Sequence, residues 1–177
     1  MVAKPITTVD TKILQIARGL SETLKAATNP QGVGLAAPQI NEKWRMFSTF
    51  LENSESDEPQ LKTFVNIRMI DRSEKEVLGT HPREPDLEGC LSIPHLYAPV
   101  LRAEWVTFEY QMIEPDSTLS DFHTMTFFDF AARVMQHELD HLDGILFTDH
   151  VIKQGQPLYE SRGRDLVTID PELARGL

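Results

Sequence analysis

The sequence predicts an α+β fold. Three observations carry that expectation. Residues 10–27 and 128–142 each repeat apolar side chains at three- and four-residue steps, the period of a helix. Between them lie short, alternating, β-branched and aromatic runs, clustered and not interleaved with helices as in a regular βαβ chain. The second helical stretch also carries His137-Glu138-Leu139-Asp140-His141, a pattern that ties the fold to a chemistry.

The elements follow in order. Ile13, Ile16, Ala17, Leu20, Leu24 and Ala27 form one apolar stripe, Asp10 is suited to cap the helix start, and Asn29-Pro30 stops it. Residues 32–39 read as a glycine-rich turn. A strand follows over 45–51. Residues 52–60, acidic with Ser and Pro, read as a solvated loop. Short strands are expected at 61–66 and 76–78, with Met69-Ile70 between them. Residues 80–86 contain Pro82 and Pro85 and read as irregular. Residues 105–112 alternate cleanly and make the best strand. A turn over 114–120 then returns the chain to a hairpin partner at 124–127. The second helix starts at Phe128 or Asp129, whose carboxylate suits the first turn, and ends at Asp143-Gly144. Phe130, Ala131, Val134, Met135 and Leu142 put apolar groups on more than one face, so this helix should be central. Beyond Lys153 the tail is polar, with an edge strand expected at 165–169.

At 177 residues the chain is expected to be one domain, residues 1–177, with enough length for a core. Its 27 acidic and 17 basic residues give a net charge of -10, which argues against direct nucleic-acid binding. No apolar run approaches the ~20 residues that span a bilayer, so no membrane association is expected. Residues 1–7 lack the apolar core of a signal peptide, and no transit peptide is evident; a bacterial-type cytoplasmic location is expected. A single cysteine, Cys90, excludes an intrachain disulfide. It is a small buried hydrophobe, a reactive thiol, or a metal ligand.

Residues four apart on a helix lie one above the other, so His137 and His141 can aim two imidazoles at one ion. Glu138, one step round, can reach water held by that ion, and the reaction class is metal-assisted hydrolysis. The alternative is a pair of hydrogen-bonded core histidines. A third ligand must come from elsewhere. Downstream stand His150, which reads as a surface histidine, and Asp149, Glu160 and Asp165. Upstream, Glu88-Gly89-Cys90-Leu91-Ser92-Ile93-Pro94 places the thiol on a bend where it can be aimed. Gly32-Val33-Gly34-Leu35-Ala36-Ala37-Pro38-Gln39 lacks any phosphate-loop pattern. It reads as a cleft wall with one neutral donor, Gln39, or as a tight structural turn.

Taken together, Gly32-x-Gly34-x-Ala36-Ala37-x-Gln39, Glu88-Gly89-Cys90-Leu91-Ser92 and Gln136-His137-Glu138-x-Asp140-His141 resemble the motifs of peptide deformylase, over residues 4–149. The resemblance implies mixed and antiparallel β-structure wrapped around the central metal-binding helix. It implies removal of the N-formyl group from the N-terminal methionine of newly made polypeptides, with release of formate. It implies one divalent ion, iron(II) foremost, with zinc, nickel or cobalt able to take the site. That ion would be held by Cys90, His137 and His141, and the water it binds would attack the formyl carbon. Glu138 would be general base and acid, and the Gln39 amide and Leu91 N–H would stabilise the oxyanion. Val33 and Gly34 would bind the peptide backbone as an added strand, and Gly89 would also bind substrate. Val33, Phe130 and Val134, with the stem of Arg133 near the mouth, would line the methionine pocket. Glu88 would brace the cysteine loop through Arg102, and Asp140 would be a structural partner. Partners would be N-formyl-methionyl nascent chains, in transient proximity to the ribosome.

The sequence departs from the family in several places. His95 stands where glycine is frequent, Asn66 is not followed by proline, residues 112–128 exceed a minimal hairpin, and the tail lacks a basic helix. These bear on recruitment and substrate range, not on the proposed ligands. A different metallo-amidase and a non-catalytic peptide-binding protein of the same shape are the competing readings.

Overall fold

A computed structural model describes residues 2–28, 31–53, 56–81 and 84–176. Helix α1 (Thr11–Ala26) is capped by the Asp10 side chain, which accepts from the Ile13 N–H at 2.8 Å. Its stripe of Ile13, Ile16, Leu20 and Leu24 packs on Leu35, Met46 and Val65. The expected stop at Asn29-Pro30 lies outside the described residues.

A five-stranded antiparallel sheet has the order β1 (Gly34–Ala36), β2 (Met46–Asn53), β3 (Ser56–Arg72), β8 (Trp105–Gln111), β9 (His123–Phe128). The expected glycine-rich turn is thus in part the edge strand β1, continued by a 3₁₀ turn at Ala37–Ile40. The expected acidic loop is instead largely strand. Leu51 pairs with Gln60 and Phe50 with Leu61, so β2 and β3 run on as one hairpin whose tip includes the undescribed residues 54 and 55. The two short strands expected around Met69-Ile70 are a single strand, bent where the register slips between Val65 and Arg68 and again between Met69 and Asp71. At the first slip Asn66 takes φ 52, and its side-chain amide pairs with both the N–H and the carbonyl of Ile6, each at 2.7 Å. This fastens the N-terminal segment to the sheet without a proline.

A second antiparallel sheet has the order β11 (Asp165–Ile169), β10 (Leu158–Arg162), β6 (Ile93–Pro99), β5 (Leu87–Cys90). A small pair joins β4 (Glu76–Val77) to β7 (Arg102–Ala103). Within 80–86, Pro82 and Arg83 lie outside the described residues, and the described ones form only an isolated bridge between His81 and Glu84.

Helix α2 (Asp129–Asp143) sits between the two larger sheets. Ala132, Met135 and Leu142 pack on Phe47, Phe64 and Phe108 of the first. Gly144 ends the helix at φ 76, the left-handed backbone that glycine adopts without penalty. A third helix, α3 (Phe147–Gln154), follows at once, in a stretch where no apolar periodicity predicts one. Its Phe147 and Val151 pack with Ile93, Val100 and Leu158 against the second sheet. No helix among the described residues is long and apolar enough to cross a membrane.

Candidate metal centre

Two periodicities meet at the centre of the molecule. In β5 alternate residues share a face, and Glu88 and Cys90 are the buried pair. In α2, His137 and His141 are one turn apart on one face. A two-residue step along a strand and a four-residue step along a helix each advance about 6–7 Å, so the pairs come into register. Glu88 Oε2 lies 3.0 Å from His137 Nδ1, and Cys90 Sγ lies 3.3 Å from His141 Nε2. The imidazole rings of His137 and His141 stand nearly perpendicular, at 84°.

The ligand atoms of Cys90, His137 and His141 all lie within 4.8 Å of one another. Burial opposes ionisation of the thiol, but hydrogen bonds and charge from His137 and His141 outweigh it and bring Cys90 down to about 5. It is therefore held as the thiolate, the form that ligates metal. A thiolate and two imidazoles from three positions suit a borderline divalent cation and leave coordination positions open. The donor set fits such an ion.

Glu88 fixes the histidine. Its carboxylate takes a bidentate pair from Arg102, both bonds 2.9 Å, and a third bond from Arg133 Nη1 at 2.9 Å. Burial alone would raise its pKa. The Arg102 hydrogen bonds and charge, with His137 beside them, overcome burial and hold it far below the usual carboxylate range. An ionised Glu88 accepts from His137 Nδ1, which turns Nε2 toward Cys90; burial would lower the pKa of the ring, but hydrogen bonds to Cys90 and Glu88 outweigh it and raise it to about 10, so Nε2 keeps its proton until a cation takes its place.

Glu138 is different in kind. It is buried, and its Oε2 has no hydrogen-bond partner among the described residues. Burial pushes its pKa up to about 7, with the His137 and His141 charges pulling the other way. A buried carboxyl beside a metal-type donor set, poised near neutrality, has the profile of a general base. Its Oε1 side is covered by β1, where a Cβ at Gly34 would stand 2.2 Å from that oxygen. Glycine there is a requirement of space.

Gln39 closes the arrangement. Its Oε1 accepts from the Ala36 N–H at 2.7 Å, which turns Nε2 toward Ser92 Oγ (3.1 Å) and Cys90 Sγ (3.4 Å).

Comparison with known proteins places the chain in a family. A sequence profile described as polypeptide deformylase matches residues 1–157. The chain belongs to the peptide deformylase family. A peptide deformylase from Desulfotalea psychrophila is 34% identical over 157 residues, 89% of this chain and 83% of its relative. One from Dictyoglomus thermophilum is 36% identical over 152 residues, 86% and 85% of the two chains. Among solved structures, the Met-Ala-Ser-bound class I type b peptide deformylase of Acinetobacter baumannii superimposes with a TM-score of 0.69 at 29% identity. That match covers 85% of this chain and 89% of the other. The protein is accordingly an enzyme, a metal-dependent deformylase whose sheets and central helix are those of the family.

In this deformylase a cleft of about 560 Å³ opens onto the metal centre. Val33, Gly34, Gly89, Phe130, Arg133 and Val134 all line it. Phe130 is 46% exposed, so it is not core packing, whereas Val134 is buried. Leu91 sits in the turn after Cys90, half-buried on the same cleft. His95 lines it too, at φ 69, the backbone region natural to the glycine frequent at this place in the family.

Three features escaped the reading of the sequence. The Arg133 guanidinium turns inward, to Glu88, to the Val100 carbonyl (2.7 Å) and to the Val77 carbonyl (3.0 Å). Positions 133, 137 and 141 form one i, i+4 stripe, and an arginine on it was the available signal. Ser92 meets Gln39, a contact that no spacing announces. His150, read as a surface histidine, instead bonds Asp140 Oδ2 at 2.9 Å, because α3 folds back against α2.

Proposed function

We propose that this deformylase removes the formyl group from N-formyl-methionyl peptides, with Cys90, His137 and His141 as metal ligands, Glu138 as proton carrier, and Gln39 and Leu91 as oxyanion donors. The observation that carries the reading is the buried Glu138, whose Oε2 has no hydrogen-bond partner among the described residues, beside the Cys90, His137, His141 donor set. A divalent cation on those three residues would supply Lewis acidity and lower the pKa of water at the site.

The chain's own residues do the rest. Glu138, near neutrality, takes a proton from the attacking water and passes it to the amine that leaves. The product pair is formate and a free methionyl N-terminus. The Gln39 amide, oriented from behind by the Ala36 N–H, gives up its contact with Ser92 to donate to the developing oxyanion. The Leu91 N–H donates beside it. A preorganised donor of this kind contributes about 2.7–4 kcal/mol to the transition state.

The peptide backbone adds along the free edge of β1 at Val33 and Gly34, with Gly89 of β5 opposite. Phe130 and Val134 take the methionine side chain, and the stem of Arg133 borders it. The Met-Ala-Ser bound to the Acinetobacter baumannii relative supports a methionyl peptide as the ligand.

Iron(II) is the ion proposed, and zinc, nickel and cobalt suit the same donors. The thiolate ligand supports a reducing, bacterial-type cytoplasm as the place of action. The substrates there are nascent chains near the ribosome, met by one catalytic domain over residues 1–177.

The test compares formyl-Met-Ala-Ser with acetyl-Met-Ala-Ser and the unblocked peptide. The expected kcat/KM ratio of formyl over acetyl is about 100-fold or more. Equal turnover of the acetyl peptide would make the protein a different metallo-amidase. Loss of formate release in a metal-loaded enzyme that still binds the peptide would make it a binding protein.

A further inference from the structure

His150 stands at the outer end of a continuous chain of polar side chains that ends on a metal-ligand histidine. It lies on α3 and bonds Asp140 Oδ2 at 2.9 Å. The same oxygen takes Arg102 Nη1 at 2.5 Å. Arg102 uses its remaining edge on Glu88, and Glu88 accepts from His137 Nδ1 at 3.0 Å. Four elements contribute: α3, α2, β7 and β5.

The pivot is Arg102. It is 4% exposed and lies between two carboxylates, so its position is the balance of two pulls. Arg133 holds Glu88 only at Oε1, so Oε2, the oxygen that meets His137, depends on Arg102 Nη2. Asp140 is partly open to water, and its own anchor is His150. Asp140 Oδ2 accepts from both Arg102 Nη1 and His150 Nε2. His150 must then carry its proton on Nε2. In that tautomer its 3.5 Å approach to Arg102 Nη1 is a packing contact, not a bond.

We propose that His150 is a positioning residue of the metal centre: by anchoring Asp140 it sets Arg102, and through Arg102 and Glu88 it sets the ring of His137. Without it, Asp140 swings toward water, Arg102 follows, and Glu88 loses the bidentate geometry that aims His137. The proposal rests on Cys90, His137 and His141 being the metal ligands. Partners one shell out from a ligand typically govern affinity by about 10–100-fold.

The test uses zinc affinity by chelator competition and the Nδ1–H proton resonance of His137. His150→Leu keeps the volume and removes the donor. It should weaken zinc binding by about 10-fold or more and shift or broaden the His137 resonance. His150→Gln, whose amide reaches where Nε2 stood, should restore both. Val151→Ala loosens the packing of α3 without touching the chain of bonds; it should lower Tm and leave zinc affinity alone. Affinity of His150→Leu within twofold of wild type would overturn the proposal. So would an equal loss in Val151→Ala, or failure of Gln to rescue. If the unsubstituted protein itself fails to bind zinc, the ligand assignment falls instead, and that outcome is read before any variant.

Discussion

Glu138→Gln should leave a folded protein that still takes up its metal and that turns over about 10²–10⁴-fold more slowly. The substitution keeps shape and removes the ability to hold a proton. Nothing in the described structure bonds Oε2, so the carboxyl's burial is a cost to stability. The rise of its pKa to about 7, caused by burial, is the measure of that cost. A neutral amide escapes part of it, so Tm should hold or rise while kcat collapses. Stability and activity moving apart in this way is the mark of a strained catalytic group. Metal analysis, a thermal melt and formate release on one preparation check all three. An undiminished rate would remove Glu138 from the mechanism.

Gly34→Ala should be nearly as damaging, although it adds one methyl group. The new Cβ would stand 2.2 Å from Glu138 Oε1, 2.6 Å from Cδ and 2.8 Å from Cγ. Something must move. Strand β1 is held by its register with β2, Gly34 opposite Thr49. Helix α2 is held by Gln136, whose amide bonds both the N–H and the carbonyl of Ala103 at 3.0 Å. The Glu138 side chain is therefore what gives way. A base displaced by about 1 Å costs roughly 10²-fold in rate, and overpacking a filled site costs about 1–3 kcal/mol in stability. The expected result is a kcat about 100-fold lower at unchanged metal content. A rate within twofold of the parent would mean that the edge of β1 is loose.

Much of this architecture was readable from the chain, and the failures have physical causes. Helices α1 and α2 carry their own signals: an apolar stripe, a cap at Asp10, a left-handed glycine at Gly144. The histidine pair was legible because four-residue spacing on a helix is local geometry. Strand β3 was misread because an antiparallel hairpin can carry charge on its solvent face, so an acidic run does not exclude a strand. Helix α3 has eight residues and few apolar ones; its signal was the Asp149 side chain, which accepts from the Leu146 N–H at 2.9 Å. The bracing of Glu88 by Arg133 joins residues 45 apart in sequence, and the pairing of Asp140 with His150 crosses a helix break. Such contacts exist only after the elements are packed, and no periodicity encodes them.

The central claim is that a single metal ion on Cys90, His137 and His141 makes this protein a deformylase. Its most direct test is an anaerobic titration of the metal-stripped enzyme with iron(II), following formate release from formyl-Met-Ala-Ser. Activity should start at the baseline, rise linearly and break at one equivalent. Formate release without added metal, or a rise that passes one equivalent without a break, would contradict it.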